Sequence, residues 1–212
     1  MIIAVDGTLA SGKGTVARGL ARHFGLPHLD TGALYRAVAV AVLSAGGDPR
    51  DPETARAAAR ALDPSAIAEN AIRTAEAGAA ASVVAVQQGV RDALFDLQKR
   101  FAEQPGGAVL DGRDIGTVVC PHADVKFYVD ADPAVRAERR WRELAARGDT
   151  VSLEEIRRQL DERDRRDSSR ETAPLMRAED AILLDTTHLS IDATLAEAVR
   201  IVQNKTDAAP RT

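Results

Sequence analysis

Short apolar runs alternate along the chain with longer stretches in which apolar residues recur at three- and four-residue steps. Ile2-Ile3-Ala4-Val5 is the first run, and it ends in Asp6. From Thr15 to His23, with Phe24 beyond, Val16, Leu20 and Phe24 keep helical spacing until Gly25. Pro27-His28-Leu29-Asp30 leads into Thr31-Gly32, where Asp30 and Thr31 are good N-cap types. The helix predicted after them carries Leu34, Val38, Val42 and Leu43 on one side and breaks at Gly46-Gly47-Asp48-Pro49. Residues 52–62 predict a short Ala/Arg-rich helix, and Asp63-Pro64 a turn. Between Thr74 and Phe101, Val83, Val86, Val90, Leu94 and Leu97 predict a long helical stretch, with a break expected near Gly89.

Pro105-Gly106-Gly107 turns into a second apolar run, Ala108 to Asp111, and Val125 to Val129 is another. Asp130 and Asp132-Pro133 open a helix reaching about Arg147, which Gly148-Asp149 ends. Ser152-x-x-Glu155 starts the next, to about Arg166. Ala181 to Leu184 is the last run, followed by a helix from about Asp192 to Val202. Residues 205–212 are polar and expected to fray. The strands are short and uniformly apolar, and helices separate them, which predicts an α/β fold around a parallel sheet buried on both faces. No internal repeat is visible.

Carboxylates follow several runs: Asp6, Asp30, Asp111 and Asp185. Each alone reads as a cap or turn residue, but in open α/β sheets the carboxyl ends of the strands build the site. Behind the first run stands Gly7-x4-Gly12-Lys13, and a helical pattern follows it. A Gly-rich turn that merely caps a helix needs only part of this. The whole order of strand, Gly7, Gly12-Lys13 and helix is that of a P-loop. Glycines let the backbone wrap a polyphosphate, successive N–H groups point at it, and the helix N-terminus adds its dipole. Lys13 supplies a point charge for the β- and γ-phosphates. Gly14 stands where the general pattern has a Mg²⁺-touching Ser or Thr, and Thr15 comes one place later.

Composition narrows the partners. The 212 residues are 45% hydrophobic and 28% charged, ordinary for one medium globular domain. A net charge of −4 and 3% aromatics argue against a nucleic-acid polymer or a membrane surface as partner. One cysteine, Cys120, excludes an internal disulfide and reads as a small packed hydrophobe. The four histidines show no metal-ligand spacing, and no signal or spanning segment is evident, so a cytoplasmic enzyme is expected.

Three further constellations carry charge. Arg36, in Thr31-Gly32-x-x-Tyr35-Arg36, is either a solvated helix arginine or a clamp on a second phosphate. Gly112-Arg113-Asp114-Ile115-Gly116-Thr117 is either a loop with an internal Arg–Asp pair or backbone held close to a ligand. The run Asp161 to Arg170 is either a salt-bridge-laced surface or, if the helix continues, a face presenting Arg163, Asp167 and Arg170 together.

Taken in order and spacing, Gly-x4-Gly-Lys-Gly-Thr, Asp-Thr-Gly-x-x-Tyr-Arg, Asp-Gly-Arg-Asp-Ile-Gly-Thr-Val-Val, Arg-Asp-x-x-Asp and Ala-Pro-Leu resemble the bacterial cytidylate kinases over residues 2–204. The resemblance implies a three-layer P-loop kinase core with a central parallel sheet, in a single domain over residues 1–212. It implies a helical acceptor-binding region at about 31–107 and a helical lid at about 140–170. It implies Mg²⁺-dependent phosphoryl transfer from ATP to CMP and dCMP by a monomer. Gly7, Thr8, Leu9, Ala10, Ser11, Gly12, Lys13, Gly14 and Thr15 would bind ATP, with Thr15 the metal contact. Thr31, Arg91, Asp114 and Arg170 would line the pyrimidine end, and Ser82, Arg163 and Asp167 would meet the sugar. Arg36, Arg113 and lid arginines among Arg139, Arg140 and Arg142 would hold phosphates. Lys13, Arg36, Arg113 and Arg163 are thus the implied catalytic charges. Thr8 stands where the family has proline, and the 63–81 stretch is shorter, with little of the family's small β element.

Two other readings compete. One is a P-loop kinase of another small acceptor, such as UMP or a shikimate-like metabolite. The other is a nucleotide-binding regulator without turnover. The letters of a guanine-reading Asn-Lys-x-Asp occur once, at Asn204-Lys205-Thr206-Asp207, where they follow the last predicted helix and not a strand, so they lend the regulator reading little.

Overall fold

The computed structural model describes residues 1–207. Five strands form one sheet: β1 (Ile2–Gly7), β2 (His28–Asp30), β3 (Ala108–Gly112), β4 (Val125–Asp130) and β5 (Ile182–Asp185), in the order 2-3-1-4-5. β1 runs parallel to both β3 and β4, with Ile3 opposite Val109 and Val125, and β4 runs parallel to β5. Helices flank it, giving the expected α/β architecture. Each apolar run of the sequence is a strand; β1, β3 and β4 are buried on both faces and need no polar alternation, whereas the edge strand β5 leaves Leu183 exposed.

The chain divides into two compact units. The first is Met1–His28 with the chain from Ala102 onward. Its core is Ile3, Val5, Val109, Val125, Phe127, Val129 and Leu184 of the sheet, against α1 (Lys13–Phe24) and α9 (Ile191–Asp207). Those helices contribute Val16, Ala17, Leu20, Ala198 and Val202. α9 runs past the predicted Val202 to Asp207, and the rest of the expected frayed tail, 208–212, lies outside the described residues. Two more helices, α7 (Pro133–Ala145) and α8 (Leu153–Ser168), share a small core of Ala137, Leu144, Ile156 and Leu160. Asp132 and Ser152 cap them as their sequences require.

The second unit, Leu29–Phe101, is helical. It holds α2 (Thr31–Ser44), α3 (Pro52–Arg60), α4 (Glu69–Ile72), α5 (Ala75–Val84) and most of α6 (Gln88–Ala102). Leu34, Val38, Val42, Ala81, Val84, Val90 and Leu94 make its core. The break in the long helical stretch falls at Ala85–Gln87, near Gly89 as expected. Gly89 is the second residue of α6, and a methyl group there would meet Arg56 Cδ at 2.9 Å. Between 63 and 81 the described chain is a 3-10 turn (Pro64–Ala66), α4 and the start of α5, with no strand.

Candidate active site

β1 delivers the chain to a loop closed on two sides by sterics and conformation. A methyl group on Gly7 would stand 2.0 Å from the Val129 carbonyl oxygen, so only glycine lets β1 turn there. Gly12 has φ 92 with open space beside it, so conformation, not room, selects glycine. Ala10 also has positive φ, at 62, which costs about 1–2 kcal/mol in a residue with a side chain. Hydrogen bonds hold the strained loop. Ser11 Oγ donates to the Thr8 carbonyl (3.0 Å), Thr186 Oγ1 to the Ser11 carbonyl (2.8 Å), and Thr8 Oγ1 to Asp130 Oδ1 (2.6 Å). Gly12 caps α1 without a side chain, the condition under which an anion can meet the first-turn donors. Thr15 is exposed and Lys13 half-buried in that turn.

Beside the loop, Asp111 at the end of β3 has one oxygen 2.7 Å from His28 Nε2. The other lies 3.6 Å from where a methyl on Gly14 would stand. Gly112-Arg113-Asp114 then enters a single π-helical turn, Ile115–Val119. Asp6 fixes that turn: its two oxygens accept from the backbone N–H groups of Ile115 (2.8 Å) and Gly116 (2.7 Å). Asp114 is buried just before the turn. Arg113 does not make the internal pair with Asp114 that the sequence allowed. Its Nε donates to Asp167 Oδ2 at 2.8 Å, 54 residues on.

Asp167, on α8, is the centre of a charged cluster. Arg163 lies 4.0 Å away one turn earlier, as its i,i+4 spacing predicts. The helix stops at Ser168, close to its expected end, so Arg170 does not join the face it would share if the helix continued. It comes back by another route: Arg170 Nε donates to the Asp167 carbonyl at 3.2 Å. The Leu175 N–H of the Ala-Pro-Leu segment binds the same oxygen at 2.8 Å. Burial works to raise the Asp167 carboxyl, but the charges of Arg113, Arg163 and Arg170 outweigh it and hold it below the ordinary carboxylate range. Three guanidinium groups thus surround one buried carboxylate in the same unit as the loop.

In the second unit, Thr31 and Arg36 stand in the first two turns of α2. Asp30 caps that helix by accepting from the Ala33 N–H (3.1 Å), and its other oxygen accepts from Arg36 at 2.8 Å. Arg36 is therefore oriented at a helix N-terminus and is not a loose surface cation. Ser82 on α5 and Arg91 on α6 are buried beside core residues Ala81 and Val90. Ser82 donates to the Ala79 carbonyl (2.7 Å) and Arg91 to that of Ala85 (3.4 Å). The three arginines considered for the lid are engaged within the first unit. Arg139 donates twice to Thr186, Arg140 pairs with Glu143 and Arg142 with Glu138.

Two site features escape sequence reasoning. Asp6 was legible only as a strand-end carboxylate; its partners lie 109 and 110 residues away. Arg136 carried no signal at all, yet it is 4% exposed and bound to the loop's Leu9 carbonyl.

Burial pushes Asp6 up to about 7 against the lowering effect of the Gly116 and Ile115 N–H groups; Asp114 adds to the rise and Arg113 opposes it. The folded chain therefore keeps a proton that the unfolded chain releases near pH 4. Stability should fall as pH rises from about 4 to about 7 and level off above, by up to about 4 kcal/mol for this group. Urea midpoints across that range should fall less steeply for Asp6→Asn. Identical slopes in the two proteins would show that Asp6 does not titrate there.

A family model described as cytidylate kinase matches residues 3–204. Proteins named cytidylate kinase from Xanthobacter autotrophicus and Caulobacter vibrioides are 58% and 54% identical over 203 residues each. Those alignments cover 96% of this chain, and 97% and 95% of the relatives. Among solved structures, an uncharacterized protein from Eubacterium ventriosum matches with a TM-score of 0.56 at 14% identity, over 96% of this chain and 98% of that one. This last likeness is one of fold.

Proposed function

The chain belongs to the cytidylate kinase family and transfers a phosphoryl group from ATP to CMP and dCMP, and we propose that the residues described above divide that work as follows. Residues 7–15 hold ATP, with Lys13 on its β- and γ-phosphates. An oxygen of the acceptor's phosphate attacks the γ-phosphorus, the bond to the bridging β–γ oxygen breaks, and ADP leaves. The protein supplies position and charge and forms no covalent bond. Arg36, Arg113 and Arg163 neutralise the phosphates.

The region of about residues 31–107, with α2–α6, binds the acceptor. Thr31, Arg91, Asp114 and Arg170 take the pyrimidine, and Ser82, Arg163 and Asp167 the sugar. The observation that carries this reading is the convergence of Arg113, Arg163 and Arg170 on Asp167. Those charges keep Asp167 ionised, an acceptor for a sugar hydroxyl, while offering donors to phosphate. The region of about 140–170 acts as the lid.

Mg²⁺ belongs to this scheme as a counter-ion of the nucleotide. Among the described residues no group of three or more acidic, histidine or cysteine side chains could hold a metal. The donors near the loop are hard oxygens, the Thr15 hydroxyl and the Asp111 carboxylate. That set suits an ion held mainly by phosphate oxygens and water, to which it would add charge neutralisation. No helix in the described residues is long and apolar enough to cross a membrane. The proposed setting is the cytoplasm, where both nucleotides are found, and the proposed state is a monomer.

Asp114 provides the test. A carboxylate accepts from the N4 amino group of cytosine but meets the O4 carbonyl of uracil acceptor to acceptor. In a coupled assay, Asp114→Ala should reduce the CMP-over-UMP preference in kcat/KM by about 10- to 100-fold. An unchanged ratio would reject the assigned role.

A further inference from the structure

We propose that Arg136 and Asp164 are a positioning pair that ties the phosphate loop to helices α7 and α8, so that the loop keeps its ATP-binding shape only while those helices are seated. The inference rests on the reading of residues 7–15 as the ATP phosphate site.

Arg136, on α7, reaches three elements from a buried position. Its Nε donates to the Ala131 carbonyl at 3.0 Å. Its NH1 nitrogen donates to Asp164 Oδ2 on α8 at 2.6 Å and to the Leu9 carbonyl of the loop at 3.3 Å. The Asp130 carboxylate that accepts from Thr8 is 3.8 Å from the same guanidinium. Leu9 is gripped a second time through its side chain, which packs against the Ala137, Leu144, Ile156 and Leu160 core of the two helices. One loop residue is therefore held by both its carbonyl and its side chain.

Asp164 belongs to the Arg-Asp-x-x-Asp motif, yet the functional reading uses only Arg163 and Asp167. Its Oδ1 is buried with no hydrogen-bond partner among the described residues. A fixture that only cemented the two helices would be served by apolar residues without that orphaned oxygen. A guanidinium can do what an apolar residue cannot: its fork spans a carboxylate and a loop carbonyl at once. Without Asp164, Arg136 keeps its buried charge but loses its strongest partner, and the Leu9 contact loosens with it. Small displacements of a positioning group are enough to change rates about a hundredfold.

The test compares Asp164→Asn, Arg136→Lys and the double variant, with Leu9→Ala as a substitution that trims the packing and spares the ion pair. The readouts are kcat, KM for each nucleotide, ATP affinity by calorimetry without CMP, and the thermal midpoint. Each single variant should weaken ATP binding and raise the KM for ATP about tenfold, with the KM for CMP moving less than about twofold. The double variant should be no worse than the worse single one, because both break one link. Leu9→Ala should shift ATP binding in the same direction, and Asp164→Glu should restore part of it. Multiplicative effects, equal changes in both KM values, or a lowered midpoint with unchanged ATP affinity would each overturn the proposal. If Asp164→Asn does not fold, Leu9→Ala and Arg136→Lys with unaltered ATP affinity overturn it equally. Lys13→Met separates the two layers: if it leaves both ATP affinity and phosphoryl transfer intact, the reading of the loop fails. If it abolishes transfer while the pair variants bind ATP normally, only the present inference fails.

Discussion

Lys13→Met should lower kcat/KM for phosphoryl transfer to CMP by about a thousandfold while the chain stays folded. Lys13 opens α1, in the one part of the loop where the helix cap brings no side chain of its own. A charge there acts on phosphates that gain negative character at the leaving oxygen, so its effect is largest in the transition state. Methionine keeps the length and apolar stem and removes only the ammonium. The coupled assay would report the loss, and a melting curve would show whether the fold is retained. Lys13→Arg should recover little, since a planar fork does not replace a compact point charge in a loop shaped around one. Activity within tenfold of the unsubstituted protein would take Lys13 out of the donor site.

Gly7→Ala should cost more than about 4 kcal/mol of stability, and it should act through the sheet before it acts through the nucleotide. The added methyl would meet backbone: Val129 oxygen at 2.0 Å and its carbonyl carbon at 2.9 Å. No rotamer can relieve that contact. It lies where Gly7 pairs with Val129, so relief means parting β1 from β4 at the edge that supports the loop. Gly12→Ala makes the contrast. With nothing within 4 Å, it pays only the conformational cost of its positive φ, about 1–2 kcal/mol. Urea titrations of the two variants separate the cases. Equal midpoints would mean that β1 turns into the loop without the close approach described.

Four of the strands could be read from the sequence because each is a short apolar run that ends in a carboxylate or, in β1 and β3, just past one; β2, His28-Leu29-Asp30, has a single apolar residue. The helix ends at Gly25 and Ser152 were legible because their chemistry is local. Where sequence reading failed, the deciding partner was distant. Arg170 would have joined the α8 face only if the helix ran on, but the chain leaves the helix and Leu175 binds back to Asp167. Arg113 was offered a neighbour in sequence and took Asp167 instead. Arg136 stayed invisible because an arginine on an amphipathic helix is ordinary until its loop carbonyl, 127 residues away, is known. Thr8 is instructive too: its hydroxyl ties the loop to Asp130, 122 residues away.

The interruption of the first unit by residues 29–101 bears on how the protein is made. The phosphate loop leaves the ribosome before most of the groups that hold it: Ser11 is local, but Asp130, Arg136 and Thr186 lie 122 or more residues further on. Its host strand must wait for partners beginning at Ala108 and Val125. The helical segment between needs mostly local contacts, which form quickly, whereas the sheet must close long chain loops. Until those groups emerge, the nascent chain carries a complete nucleotide motif with only Ser11 to shape it. ATP adds its binding energy to stability in full once Thr186 is in place, and fragments ending before it draw less protection from the nucleotide pool.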